Sequence, residues 1–328
     1  MKPIVVSVSI SAYNHAAYIA QTLDSVLMQQ TDFEFEVIVG DDGSKDATPQ
    51  ILREYQARYP DKVRLLLHEK NLGGGGKLNA LSTDAIAQGN YICPVDGDDY
   101  WTDPLKLQKQ VDFMEAHPEC SACFHNAQII WEDGSHPPEL VTSPDHKQFS
   151  TLDDLIGETE IWFMATSSIM FRKGLFETYP DWFFRSKSGD IPRTILWAKH
   201  GKIGYLPDVM SVYRKNAGGL SFTDHVHDAD FLLNRIGMYQ DINRELNYVY
   251  DKRVRRNVAR YYRMLLDSKQ YRDHYWKRSN FALTYLRLAN PDKDTVKEIL
   301  KNYLIPQPLM KMYSLIRLLP YRLTRQPD

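Results

Sequence analysis

The sequence predicts an α/β fold, a mostly parallel sheet flanked by helices, followed by a C-terminal helical region. Three observations predict it. Strand-like and helix-like runs alternate through the first hundred residues, the strand-like runs lead into polar or acidic turns, and near residue 225 the texture changes to long helical stretches. The 328 residues, 43% hydrophobic and 25% charged, describe an ordinary globular chain and not a disordered or fibrous one. With a mean hydropathy of −0.45 and no run of roughly 18 uncharged apolar residues, no membrane span is expected.

The elements follow in order. Met1-Lys2-Pro3 leads straight into an alternating run, so a strand over 5–11 with no leader ahead of it is expected. Helix 17–29, strand 36–40, helix 48–59, strand 63–68, helix 78–88 and strand 91–95 come next. Segments 228–247, 251–268 and 271–289 read as long helices, the last two rich in Arg, Lys and Tyr. Two domains are expected, 1–224 and 225–328. The net charge of −2 hides their difference: residues 1–224 carry 20 Lys+Arg against 31 Asp+Glu, and 225–328 carry 20 against 11.

Three cysteines are too few for a disulfide framework and suit a reducing compartment, which makes the cytoplasm the expected address. Cys120-Ser121-Ala122-Cys123 has the spacing of a zinc or redox pair. No second pair follows, and the apolar flanks favour a buried strand.

Open sheets bind ligands beyond the carboxyl ends of their strands. The turns to search are Ala12-Tyr13-Asn14-His15, Asp41-Asp42-Gly43-Ser44, the loop from Asn71 through Gly73-Gly74-Gly75-Gly76 to Lys77, and Asp96-Gly97-Asp98-Asp99. Asp, Asn and Gly are ordinary turn residues, but four such turns in one sheet mark a site rim. Three carboxylates in four residues repel one another unless a cation joins them. Mg²⁺ or Mn²⁺ suits such oxygen ligands, while an acidic turn capping the helix after Asp103-Pro104 is the plainer reading. The glycine run fails the P-loop pattern, because Asn71 and Leu78 stand where Gly and Ser or Thr are needed. It remains a loop whose backbone N–H groups can approach phosphate with Lys77 as a point charge, or a simple flexible connection.

Taken in order, Ser9-Ile10-Ser11-Ala12-Tyr13-Asn14, Val39-Gly40-Asp41-Asp42-Gly43-Ser44-Lys45-Asp46, Asn71-Leu72-Gly73 and Tyr91-Ile92-Cys93-Pro94-Val95-Asp96-Gly97-Asp98-Asp99 resemble the family 2 inverting glycosyltransferases of the GT-A fold, over roughly residues 4–220. The resemblance implies a Rossmann-like sheet and a nucleotide-diphosphate sugar donor. Ser11, Ala12, Tyr13 and Asn14 match the first donor loop. Asp42 matches the carboxylate that reads uracil in relatives using UDP, with Asp41 assisting and Ser44 and Asn71 alongside. Asp96 and Asp98 match the D-x-D, Asp98 at the metal and Asp96, with Gly97, nearer the ribose. Lys77 is expected to face the diphosphate.

The resemblance also implies a general base for the acceptor hydroxyl, and Asp190 in Ser188-Gly189-Asp190-Ile191-Pro192 matches it; read alone, it would be a helix N-cap. Many relatives carry Glu where Gly189 stands. The segment Tyr213-Arg214-Lys215-Asn216 matches Y-R-x-H with Asn216 at the His position. Trp162, Asp99 and Arg214 are expected on the acceptor side, although an aromatic in a strand is more often core. His125 reads as structural.

The expected reaction moves a hexose or N-acetylhexosamine from a UDP-sugar to a glycan or lipid-linked acceptor in a surface-polysaccharide pathway. The alternatives are a nucleotide-sugar-binding scaffold with an inactive domain, supported by Gly189 and Asn216, and a metal-dependent phosphatase, disfavoured by Asp99 where Thr or Val should stand. Segment 305–325 is apolar with interspersed Lys and Arg, so it either lies on an anionic membrane, at the inner face of the plasma membrane, or packs internally. No nucleic-acid motif is present.

Overall fold

The computed structural model describes residues 3–216 and 228–306. The expected tail therefore lies outside the described residues from position 307 onward. The chain forms two compact units: Met1–Ile156 with Ile161–Thr223, and Gly157–Glu160 with Asp224–Asp328.

The first unit opens with three strand–helix repeats: β1 (Ile4–Ala12), α1 (Ile19–Leu27), β2 (Glu34–Asp41), α2 (Thr48–Arg58), β3 (Val63–Leu67) and α3 (Lys77–Ile86), ending on β4 (Tyr91–Asp96). Helical crossovers force the joined strands to run parallel, and β3-β2-β1-β4 do so. Both faces of this half are covered, which is why Val37, Ile38 and Val39 are buried in succession instead of alternating with polar residues. Asn79 of α3 donates to the Gly40 carbonyl at 2.7 Å and fastens that helix across β2.

Beyond β4 the strand directions are mixed. The elements are β5 (Tyr100–Trp101), α4 (Lys106–Ala116), β6 (Cys120–Trp131), β7 (Glu139–Leu140), β8 (Phe149–Ser150), α5 (Leu152–Leu155), β9 (Ile169–Arg172), α6 (Asp181–Arg185), α7 (Asp190–Ala198) and β10 (Lys202–Lys215). β9 lies antiparallel between β4 and β6, β10 runs parallel to β6, and β5 closes the order β3-β2-β1-β4-β9-β6-β10-β5. Cys120 and Cys123 lie buried on β6 and Cys93 on β4, all three free thiols, in line with the reading of the C-x-x-C as core. His125 is equally buried, with Nδ1 against the Asn126 carbonyl; burial holds its pKa well below the usual value, so it stays neutral.

The second unit holds α8 (Ala229–Glu245), α9 (Asp251–Leu266), α10 (Tyr275–Ala289) and α11 (Lys293–Ile299). Asp228 caps α8 by accepting from the N–H groups of Asp230 and Phe231, and Asp292 caps α11 in the same way. α9 buries Val254, Val258, Tyr261 and Leu265, a spacing of three to four, and turns its arginines outward. Glu160 joins this unit by accepting from Arg235 at 2.9 Å and Tyr261 at 2.6 Å. Among the described residues no helix is long and apolar enough to cross a membrane.

Candidate active site

The parallel half of the sheet sets the register of the site. Ser11 stands beside Gly40 on one side and Asp96 on the other, and Ala12 beside Asp41, so three of the expected loops leave neighbouring strands at one level. The first two are laced together. Asp42 N–H donates to the Ala12 carbonyl (2.9 Å), Asn14 N–H to Ser44 Oγ (2.8 Å), and Lys45 N–H to Asn14 Oδ1 (2.8 Å). Asn14 adopts φ 55, a left-handed conformation that asparagine tolerates and most residues avoid. Asp41 Oδ2 accepts from Ser44 N–H, and Asp42 Oδ1 from Leu72 N–H at 2.7 Å, which brings the third loop to the second. Asn71 steadies that loop by accepting from Gly73 N–H. Burial raises the pKa of Asp42, and the Leu72 hydrogen bond opposes that rise. Tyr13 stands exposed at the rim.

The acidic turn is held by its backbone. Gly97 N–H donates to the Ser11 carbonyl at 2.8 Å, and Thr22 Oγ1 donates to the carbonyls of Gly97 and Asp99. A Cβ on Gly97 would stand 2.7 Å from His15 Nδ1 and 3.0 Å from the Ser11 carbonyl oxygen, so only glycine lets the turn close on β1. Asp98 Oδ2 accepts from Asn216 Nδ2 at 2.8 Å. Burial, then Asp98 and Asp190, push the Asp96 carboxyl up to about 7, while Thr166 hydrogen-bonds it and pulls the other way. A buried carboxyl pushed up by neighbouring carboxylates belongs to a set of hard oxygens short of positive charge, the chemistry that Mg²⁺ or Mn²⁺ satisfies. Among the described residues no three His, Cys, Asp or Glu side chains converge as a closed metal site. The set therefore suits an ion that draws further oxygens from water and phosphate.

Asp190 opens α7 and borders a cleft walled by Pro94, Ile161, Trp162, Met164, Ile191 and Trp197 among others. Trp162 is 43% exposed, its ring 6.0 Å from that of Tyr213. A carboxylate at the edge of a largely apolar cleft can take a proton from a hydroxyl seated there, with aromatic surface beside it for a ring to lie against.

The model of glycosyl transferase family 2 matches residues 7–179. This chain belongs to that family. Rv1520, an uncharacterised protein of Mycobacterium tuberculosis, is 36% identical over 264 residues, which span 77% of this chain and 70% of the relative. TuaG of Bacillus subtilis, a putative teichuronic acid biosynthesis glycosyltransferase, is 34% identical over 161 residues, 49% of this chain and 60% of that one. Among solved structures, TarS of S. aureus in complex with UDP-GlcNAc has a TM-score of 0.60 at 20% identity, covering 87% of this chain and 82% of its own; the likeness is one of fold.

Within this glycosyltransferase, three of the residues singled out in the sequence stand elsewhere than expected. Lys77 does not point its ammonium into the donor loops: its Nζ donates to the carbonyls of Phe183 (2.7 Å) and Ser186 (2.6 Å), and the residue is 6% exposed. Asp99 is not on the acceptor side but 1% exposed beneath the turn, where its Oδ1 accepts from Arg214 N–H. Arg214 uses every guanidinium nitrogen on protein partners: Nε on the Asp98 carbonyl, Nη1 on Glu132 and Nη2 on Gln21. Its plane also lies against Tyr18 and Tyr100. It anchors the acidic turn. Thr22, Thr166, Glu132 and Gln21 were not singled out in the sequence, since a lone Thr, Gln or Glu carries no signal until the turn is folded against it.

Proposed function

We propose that this family 2 glycosyltransferase moves a sugar, with inversion, from a UDP-sugar to a hydroxyl of a glycan or lipid-linked acceptor. The observation that carries the reading is that the acidic turn bearing Asp96 and Asp98 and the laced loops that hold Asp42 leave neighbouring strands at one level, with the Asp190 charge felt at Asp96. A carboxylate on the donor side and one bordering a separate cleft is what displacement at an anomeric carbon requires.

Asp42, fixed by the Leu72 N–H, presents a carboxylate edge suited to the N–H of uracil, and Tyr13 offers a face for the base. TarS, which shares the fold, was solved with UDP-GlcNAc, and the mannosyltransferase PcManGT of Pyrobaculum calidifontis with GDP-Man and Mn²⁺, which supports a nucleotide-sugar donor; the choice of UDP rests on Asp42. Asp98, steadied by Asn216, with Asp96 beside it, would hold Mg²⁺ or Mn²⁺. Such an ion supplies neutralisation of the charge that collects on the departing diphosphate. Asp190 accepts the proton of the acceptor hydroxyl as its oxygen bonds to the anomeric carbon and the bond from that carbon to the phosphate oxygen breaks. The cleft around Trp162 offers apolar and aromatic surface beside Asp190 against which an acceptor ring can lie. TuaG, by its name a teichuronic acid enzyme, supports a place in surface-polysaccharide synthesis. The basic second unit and tail would bring the enzyme to an anionic membrane where lipid-linked acceptors reside.

Calorimetric titration of UDP and GDP with and without Mn²⁺ tests the donor reading, with Asp98→Ala as the control. Mn²⁺-dependent UDP binding that disappears in the variant is the expected result. Absence of binding to either nucleotide would overturn the reading in favour of an inactive scaffold. Vesicle flotation of the full chain against a 1–304 truncation tests the membrane part, and equal flotation would sink it.

A further inference from the structure

α3 starts where the glycine run ends. Gly73, Gly74, Gly75 and Gly76 all have φ between 62 and 79, and Lys77 is the first helical residue behind them. Asp84 lies seven positions on, two turns along the same face. Both residues reach the segment that carries Asp190.

Lys77 Nζ donates to the carbonyls of Phe183 at 2.7 Å and Ser186 at 2.6 Å, with that of Phe184 at 3.4 Å, and stands 4.9 Å from the centre of the Phe183 ring. These carbonyls belong to the last turn of α6 and its C-cap, an end where a cation is favoured. An ammonium has three protons, and here three carbonyl oxygens face it. The chain of contacts continues toward the base. Ser186 Oγ donates to the Ser188 carbonyl (2.8 Å) and accepts from Ser188 N–H (3.2 Å), and the Gly189 carbonyl accepts from Arg193 N–H (3.0 Å) in the first turn of α7. A Cβ on Gly189 would lie 3.7 Å from Lys77 Cγ and Cδ, so the lysine stem runs alongside the residue before Asp190. Farther along α3, Asp84 Oδ2 pairs with Arg193 Nη2 at 2.6 Å. Asp190 thus sits between two polar anchors on one helix.

We infer that Lys77 is a positioning residue for Asp190: its ammonium clamps the 183–186 backbone and so fixes where the base stands, acting on the acceptor side of the reaction and not on the donor diphosphate. The inference rests on the reading of Asp190 as the base. It also explains why a residue at the end of a glycine loop is buried: the loop delivers the lysine to the neighbouring segment, and the stem shields the ammonium from solvent.

Lys77→Met and Lys77→Arg in the full chain test it through three measurements: UDP affinity, the split between kcat and KM, and amide hydrogen exchange over 183–193. For Lys77→Met the expected result is a UDP Kd within about threefold of wild type, kcat lower by about tenfold or more, and exchange at 186–190 faster by about tenfold. Lys77→Arg, which keeps charge and donors, restores most of the protection and of kcat. UDP affinity lower by about tenfold with unchanged exchange at 186–190 would make Lys77 a phosphate ligand and overturn the inference. If the wild-type chain binds no nucleotide, the transferase reading fails by itself, and exchange still decides the clamp, since unchanged protection in Lys77→Met overturns it. Should Lys77→Met not fold, Gly189→Glu decides. Its backbone, at φ −97, accepts a side chain, and a carboxylate carried beside the Lys77 stem competes with the carbonyls for the ammonium. Lost protection at 186–190 supports the clamp, and full protection with wild-type turnover overturns it.

Discussion

Asn216 Nδ2 donates to Asp98 Oδ2 at 2.8 Å, so the residue standing where relatives carry histidine holds the carboxylate expected at the metal. An amide cannot lose its donor by titration in the working range, whereas an imidazole can. A hydrogen bond to a charged group contributes about 1.5–3 kcal/mol, which corresponds to roughly tenfold or more in affinity. Asn216→Ala is therefore expected to weaken Mn²⁺-dependent UDP binding by about tenfold, and Asn216→Asp, which places like charges together, by more. Calorimetry at a fixed Mn²⁺ concentration checks both. Equal affinity in the Ala variant would show that Asp98 needs no such support.

Asp190→Asn keeps the shape of the side chain and removes the proton acceptor. Loss of a general base costs about 10²- to 10⁴-fold in turnover, and the donor loops lie on other strands, so UDP affinity is expected to stay within about twofold. Steady-state turnover beside calorimetry separates the two. Wild-type turnover in the variant would move the base elsewhere.

The C-x-x-C pair should be chemically silent. Burial pushes the Cys120 thiol up to about 11 and raises Cys93 and Cys123 as well, so at pH 7 to 8 none of the three supplies a thiolate. A thiol raised on folding contributes stability that is intact below its unfolded value near 9, and for Cys120 that contribution drains away as pH climbs toward about 11. Ellman titration of the native chain at pH 8 should give no fast phase, and three equivalents should appear on unfolding. A fast equivalent in the native chain would contradict the burial of these side chains.

What the sequence disclosed and what it hid divide along physical lines. Alternation of period-2 and helical runs made β1 through β4 legible, because helical crossovers leave parallel pairing as the outcome. The loops at the strand ends were legible because Asp, Asn and Gly cluster there. Beyond β4 the order β9-β6-β10 depends on pairing between segments far apart in the sequence, which no local pattern encodes. The same limit applies to single polar residues. Lys77 after a glycine run looks like a phosphate ligand until the fold brings the Phe183 and Ser186 carbonyls to its ammonium. Arg214 looks like a free cation until Glu132, Gln21 and the Asp98 carbonyl meet it. Asp190, which opens α7, and Asp98, two residues past the end of β4, fall at the ends of elements, where the alternation of strand and helix patterns marks the turns.

The Asp84–Arg193 pair makes the sharpest stability prediction. Its N···O distance is 2.6 Å and both side chains are nearly buried, at 10% exposure for Arg193 and 12% for Asp84. The guanidinium also packs 5.3 Å from the Phe171 ring centre and 5.2 Å from that of Trp197. Burial raises the Asp84 carboxyl above its usual range, and Arg193 pulls it back. Arg193→Leu removes the counter-charge and leaves a buried carboxylate, which costs about 3–5 kcal/mol at neutral pH. Without the arginine, the Asp84 pKa rises further, and the native state takes up a proton that the unfolded chain releases near pH 4. Stability of the variant should then fall as pH rises from about 4 toward neutrality, so the deficit against wild type is smallest in acid. Denaturant unfolding at pH 5 and pH 8 measures this. The double variant Asp84→Leu/Arg193→Leu has no charge to strand and should recover part of the loss, giving a coupling energy above about 1 kcal/mol. Additive effects at both pH values would mean that the two side chains are solvated and that α3 does not hold α7 through them.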